Sequence, residues 1–296
     1  MSNFSKVLMF FLIVPLFSFS QNQSQPDTLW KTSGNVTLNF SQVSLTNWAA
    51  GGSSSGSGVL MIKLAGNYKK EKVSWDNSAD LRLGFLKEGD QDMRKSDDMI
   101  DLNSKLGIEA KEHWYYSFVL GFKSQFAEGY NYPDTENLIS KFMAPGYLNT
   151  GLGMDYKTEK LSILMAPLSG KFTFVMDDKL SDDGAFGVDP GKKSRAELGA
   201  TVKMEYKTPL VKNVDLETNL DLFSSYLDKP QNIDVDWKVL INMKINDWLS
   251  ANLATRLIYD DDILIDIDDN DDGEPDRKGR RVQFMEMFGA GISIKF

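Results

Sequence analysis

The 296-residue sequence predicts an all-β protein, a single antiparallel transmembrane β-barrel of about 12 strands. Three observations carry the prediction. Apolar and polar residues alternate along most of the chain, the connections between alternating stretches sort by length, and aromatic residues gather at the ends of those stretches.

The alternation is regular. Val235, Trp237, Val239, Ile241, Met243 and Ile245 are apolar, with Asp236, Lys238, Asn242 and Lys244 between them. Ile100, Leu102, Leu106 and Ile108 alternate with Asp101, Asn103, Lys105 and Glu109. Val214, Leu216, Leu220 and Leu222 alternate with Asp215, Glu217, Asn219 and Asp221. A strand turns successive side chains to opposite faces, so each stretch gives one oily and one wet sheet face. The strands expected are 33–45, 57–70, 73–87, 97–110, 114–127, 146–157, 161–175, 194–207, 213–227, 233–245, 248–260 and 281–296. Many are long for a soluble sandwich but suit a tilted membrane strand, which needs roughly 9–11 residues in the hydrocarbon.

Every second connection is short: Lys70–Lys72, Lys111–His113, Thr158–Lys160, Thr208–Lys212 and Asn246–Asp247. The others include Glu88–Ser96, Glu128–Pro145, Met176–Lys193 and Asp261–Arg280. Short turns at the periplasmic end and long loops at the outer end are the asymmetry of outer-membrane barrels. Tyr68, Trp75, Trp114, Tyr115, Tyr116, Tyr156, Tyr206, Tyr226, Trp237, Trp248 and Trp48 fall where interfacial girdles belong. Glu286 fits badly, because it shares a face with Phe284, Phe288 and Ile292. It requires either a place near the rim or a bulge that shifts the register.

Residues 1–20 read as a signal peptide, with Lys6 ahead of an apolar run from Val7 to Phe17 and small residues at Ser18 and Ser20. Residues 21–296 are then the barrel domain, exported to the bacterial outer membrane. The absence of cysteine excludes disulfides and thiolate chemistry, and the single histidine, His113, excludes a multi-histidine metal centre. The net charge of −9 excludes a basic nucleic-acid footprint.

The segment from Asn39 to Gly52, NFSQVSLTNWAAGG, resembles the opening motif of an uncharacterised family of Bacteroidota outer-membrane barrels, a domain of unknown function. The resemblance implies an outer-membrane address and carries over no catalytic residue.

Polar partners of the strands line the lumen. The acids expected there are Asp76, Asp80, Asp101, Glu109, Glu197, Glu205, Asp215, Glu217, Asp221 and Asp236. The bases are Arg82, Lys105, Lys123, Lys203, Lys238, Lys244, Arg256 and Lys295. The near balance of signs points to ion pairs across a restricted interior, not to a selective ring of one charge. Asp268, Asn270, Asp272 and Asp276 alternate around Gly273 and match the front of a calcium loop, so Ca2+ is the one cofactor the sequence suggests. No nucleophile elbow, P-loop or HExxH motif is present, and His113 lies in a turn at the wrong end for outer-leaflet chemistry, so no enzyme is expected. Two activities fit. One is a narrow, loop-gated passage for small polar solutes. The other is a non-conducting barrel that serves as a subunit or scaffold of an envelope-assembly or secretion complex. The partners expected are outer-membrane lipids and the barrel-insertion machinery.

Overall fold

A computed structural model describes residues 29–45, 53–267, 269 and 276–296. The expected signal peptide, Trp48 and the glycines at 51 and 52 lie outside the described residues.

Twelve long strands form one closed antiparallel barrel. They are β1 (Trp30–Val43), β2 (Ser55–Lys70), β3 (Val73–Glu88), β4 (Arg94–Lys111), β5 (Trp114–Ser124) and β6 (Gly146–Lys157). Then follow β7 (Leu161–Phe174), β8 (Ser194–Val211), β9 (Val214–Ser225), β10 (Asp234–Lys244), β11 (Leu249–Tyr259) and β12 (Gln283–Lys295). Each strand pairs with the next, and β12 returns to β1. Every expected strand is present. The largest difference is β8, which runs through Pro209 to Val211, with the ladder to β9 shifting between Pro209 and Val211. Proline lacks the N–H that a ladder needs, and it is tolerated at such an irregularity near a strand end.

The short connections all lie at one end, here the turn end. Glu71, His113 and Asn213 adopt positive φ of 51°, 66° and 65° in three of these turns. Positive φ in a tight turn matches the right-handed twist of the strands it joins. The long connections lie at the opposite, loop end.

The two faces of the wall differ as the alternation requires. Leu106, Ile108, Phe118, Leu152, Phe284, Phe288 and Ile292 are exposed on the outside. Thr37, Asp101, Ser117, Asp155, Thr173 and Glu197 are buried on the inside. An aromatic cluster stands at the turn end, where Trp30 lies 5.3 Å from Tyr68 and 5.6 Å from Trp75 between ring centres. Trp114 sits 5.2 Å from Tyr156 in the same way. Tyr115 leaves the expected girdle: it is buried inside the barrel, while its neighbour Tyr116 is outside.

One irregularity sets the local shape. Between Ala166 and Ser169, β7 carries one residue more than either neighbour, so the register shifts against both β6 and β8. Pro167 occupies this bulge, where a missing N–H costs nothing. The bulge re-aims the strand: Leu164 and Ala166 point inward on one side of it, and Ser169 and Lys171 on the other. Leu164, Ala166 and Val119 make a small apolar cluster inside the lumen, where the sequence suggested only polar groups.

Candidate functional site: the occluded lumen and its vestibule

The interior is crossed by ion pairs. Lys123 of β5 reaches Asp221 of β9 at 2.9 Å and Asp236 of β10 at 2.8 Å. Arg256 of β11 forks onto Asp236 with two hydrogen bonds of 2.9 and 3.0 Å. Lys238 of β10 pairs with Asp101 of β4, and those strands stand on opposite sides of the ring. Lys63 of β2 meets Glu217 of β9 at 2.8 Å. Towards the turn end, Lys105 meets Asp155 at 2.7 Å, and Lys157 meets Asp76. Towards the loop end, Lys171 bridges Asp234 at 2.6 Å and Asp260 at 2.8 Å. A bidentate guanidinium–carboxylate fork is the strongest such contact, and it also fixes orientation. Bonds between opposite walls close the waist.

Most of the lumen residues expected from the sequence take part. Five do not: Glu109, Glu205, Asp215 and Lys295 form no ion pair with the described residues, and Lys244 pairs at 2.7 Å with Asp247 in a turn. Lys63, Lys157, Lys171, Asp155 and Asp234 are additions. The β7 bulge explains Lys171, since counting by two from Leu161 assigns it to the outer face.

Above the waist lies a vestibule of about 330 Å3. Its floor is formed by Arg82, Asp80, Lys238 and Arg256, and its walls by Asp97, Asp98, Gln125, Tyr130, Tyr132 and Met285. The loop after β5 is folded in over this space. Asp98 accepts hydrogen bonds from the backbone N–H of Phe126 at 2.8 Å and of Ala127 at 2.9 Å, and pairs with Lys95 at 3.0 Å.

The same loop joins the next long one in a lid. Helix α1 (Asp178–Asp182) lies between β7 and β8. Its Leu180, with Val175, Val188 and Ala144 from the preceding loop, forms an apolar core of its own. Asp177 caps α1, accepting the Leu180 backbone N–H at 3.0 Å and the Lys141 ammonium. These two donors, the backbone N–H first, hold the Asp177 carboxyl below its ordinary value. A depressed carboxyl contributes stability that is fully present above the unfolded value of about 3.9 and is lost as pH falls through the folded value. Cleavage of the lid by pepsin therefore rises as the pH drops below about 4. Asp177→Ala gives trypsin the same access at neutral pH, the loss of the cap costing about 1 kcal/mol.

Of the calcium-loop residues, Asp268, Asn270 and Asp272 lie outside the described residues. Asp276 is described, and its carboxylate accepts the backbone N–H of Asp269 at 2.8 Å. Among the described residues no cluster of three acidic or histidine groups is placed to hold a metal. His113 occupies its turn, 3.8 Å from Glu112. Glu286 faces outward in a stretch of β12 whose ladder to β11 runs without a bulge.

A closed antiparallel wall, oily outside and charged inside, with tight turns at one end and long loops at the other, is the architecture of integral outer-membrane barrels. A family described as "Protein of unknown function (DUF3078)" matches residues 40–130, from the end of β1 into the loop after β5. No curated protein matches the chain. Among solved structures, the translocator domain of autotransporter NalP from Neisseria meningitidis overlays with a TM-score of 0.38 at 8% identity, covering 92% of this chain and 90% of that one. The COG4313 outer membrane channel from Pseudomonas putida F1 overlays with a TM-score of 0.40 at 13% identity, covering 93% of this chain and 100% of that one.

Proposed function

We propose that this protein is an integral, non-enzymatic barrel of the bacterial outer membrane that offers small polar solutes a narrow, loop-gated passage. The observation that carries the reading is the vestibule of about 330 Å3, roofed by a loop and floored by ion pairs that tie opposite walls. In this reading the loop end faces the cell exterior and the turn end the periplasm. A barrel of this strand number falls between side-chain-filled small barrels and water-filled porins, so a restricted bore is expected. Purified barrel in a planar bilayer is expected to show a small conductance that fluctuates with the loops, and a folded barrel that carries no current removes the passage.

The same ion pairs favour a second reading, a non-conducting subunit or scaffold of an envelope-assembly or secretion complex. A wall braced from side to side, with Val119, Leu164 and Ala166 filling part of the bore, also suits a rigid post. A silent bilayer together with a stable co-purified partner would favour it.

A further inference from the structure

We infer that the seam between the first and last strands opens sideways, and that it takes a single-chain amphiphile with a cationic head. The head sits in the gap itself, between Glu286 on its outer lip and the vestibule behind it, and the tail lies among outer-leaflet chains. The orientation rests on the outer-membrane reading above.

The ladder closing the barrel is short. β1 and β12 pair only from Asn35 with Lys295 up to Asn39 with Gly291. Beyond that point Phe40–Val43 of β1 and Gln283–Ala290 of β12 stay in strand geometry without pairing to each other. Backbone N–H and C=O groups facing that gap have no ladder partner among the described residues. In hydrocarbon each such group costs several kcal/mol, so the gap has to be wet or filled by something polar.

Three further observations agree. Met285 belongs to the unpaired stretch and also lines the vestibule, so the gap abuts an aqueous space. At the foot of the gap, Asn39 and Asn252 are about 95% buried or more yet keep side-chain atoms without a hydrogen-bond partner. They flank Gly289 and Gly291, where a Cβ would collide with Asn39 or with the Leu38 carbonyl. Glu286 stands exposed on the outer face of this stretch, between Phe284 and Phe288, and forms no ion pair with the described residues. A wet lateral opening gives that carboxylate the solvation that a lipid-facing site denies it.

The chemistry of the ligand follows. The bases on the vestibule floor already have acids of their own: Arg82 holds Asp80, Lys238 holds Asp101, and Arg256 holds Asp236. Gln125 Nε2 is an uncommitted donor on the vestibule wall, but the charged groups left here without an opposite charge are carboxylates, namely Glu286 at the gap and Asp97, which also keeps one oxygen without a hydrogen bond. An ammonium head suits them. Phe40, Phe284 and Phe288 are exposed on the outside and offer an apolar track for the tail.

The test uses the whole barrel in phosphatidylcholine nanodiscs, with empty discs subtracted. The probes are decyltrimethylammonium, decyl sulfonate and tetramethylammonium, all below micelle concentration. Decyltrimethylammonium is expected to bind more than about tenfold more tightly than either of the others. Glu286→Gln is expected to erase about tenfold of the preference for cation over anion. The chain has no cysteine, so the double variant Val43→Cys, Met287→Cys can be oxidised cleanly. Val43 and Met287 fall opposite each other if the ladder is continued four residues beyond Asn39 and Gly291, and a disulfide there holds the gap shut. The oxidised form is expected to lose the amphiphile and the reduced form of the same variant to regain it. Equal affinity for the two decyl probes, or equal binding by oxidised and reduced forms, overturns the inference. So does a co-purified polypeptide that protects the Gln283–Ala290 amides from exchange. If the disulfide does not form, Glu286→Gln decides alone. Axial conductance is recorded on the same preparation. Lost current with retained amphiphile binding removes the passage and leaves the lateral site, and the reverse result does the opposite.

Discussion

Replacing Lys123 by methionine is expected to raise the conductance of the barrel severalfold and to make the current cation-selective. The Lys123 ammonium is shared by Asp221 and Asp236, on two strands across the lumen. Removing it leaves Asp236 to Arg256, and leaves Asp221 with only Lys203 at 3.7 Å. The waist loses a brace and one positive charge together. Stability is expected to fall by about 3–5 kcal/mol, because removing one partner of a buried pair strands the charge of the other. Planar-bilayer currents with a salt gradient read the first effect, and the urea midpoint of heat-modifiable gel mobility reads the second. An unchanged current with the expected drop in stability would favour the bracing-post reading of the lumen over the passage.

Gly153→Val is expected to abolish the folded band or to cost at least about 3 kcal/mol, the upper end of what overpacking usually costs. Gly153 lies on β6 against the β7 bulge. A Cβ there would stand 2.0 Å from the Met165 carbonyl oxygen and 2.5 Å from the Ala166 Cα. Both are backbone atoms, so no side-chain rotation relieves the clash. The bulge would have to flatten, and Lys171 would then lose its aim at Asp234 and Asp260. Gly58→Ala is the control. Its nearest neighbour would be the Asn39 carbonyl at 3.9 Å, an ordinary contact, and little change is expected in the same gel assay.

The wall of this protein is legible in its sequence because a membrane barrel writes its two solvents into alternate residues. β10 shows this plainly: Trp237 is exposed outside, while Asp236 and Lys238 are tied into the lumen. What escapes the pattern is whatever breaks the period of two. The extra residue at Pro167 reverses the parity of β7 beyond it, which hides Lys171, while Leu164 and Ala166 keep the inward parity counted from Leu161. Tyr115 reads as a girdle residue beside Trp114 and Tyr116, but alternation itself puts it inside. The lid core of Ala144, Val175, Leu180 and Val188 joins two loops that are distant in sequence, so no local pattern announces it. Partner choice inside the lumen is equally hidden. Periodicity says that Lys238 points inward, and only the closure of the ring says that Asp101 is opposite.

The closing ladder also bears on how the chain reaches its final shape. Every other ladder of the barrel joins strands consecutive in sequence, whereas the Thr37 hydroxyl meets the Ser293 hydroxyl at 3.2 Å across 256 positions. Hairpins can accumulate one after another at low entropic cost, but this last contact waits for all of them. The growing sheet therefore travels with two raw edges until its final strand arrives, and the rate of that arrival sets how long it is open to mispairing with a neighbour.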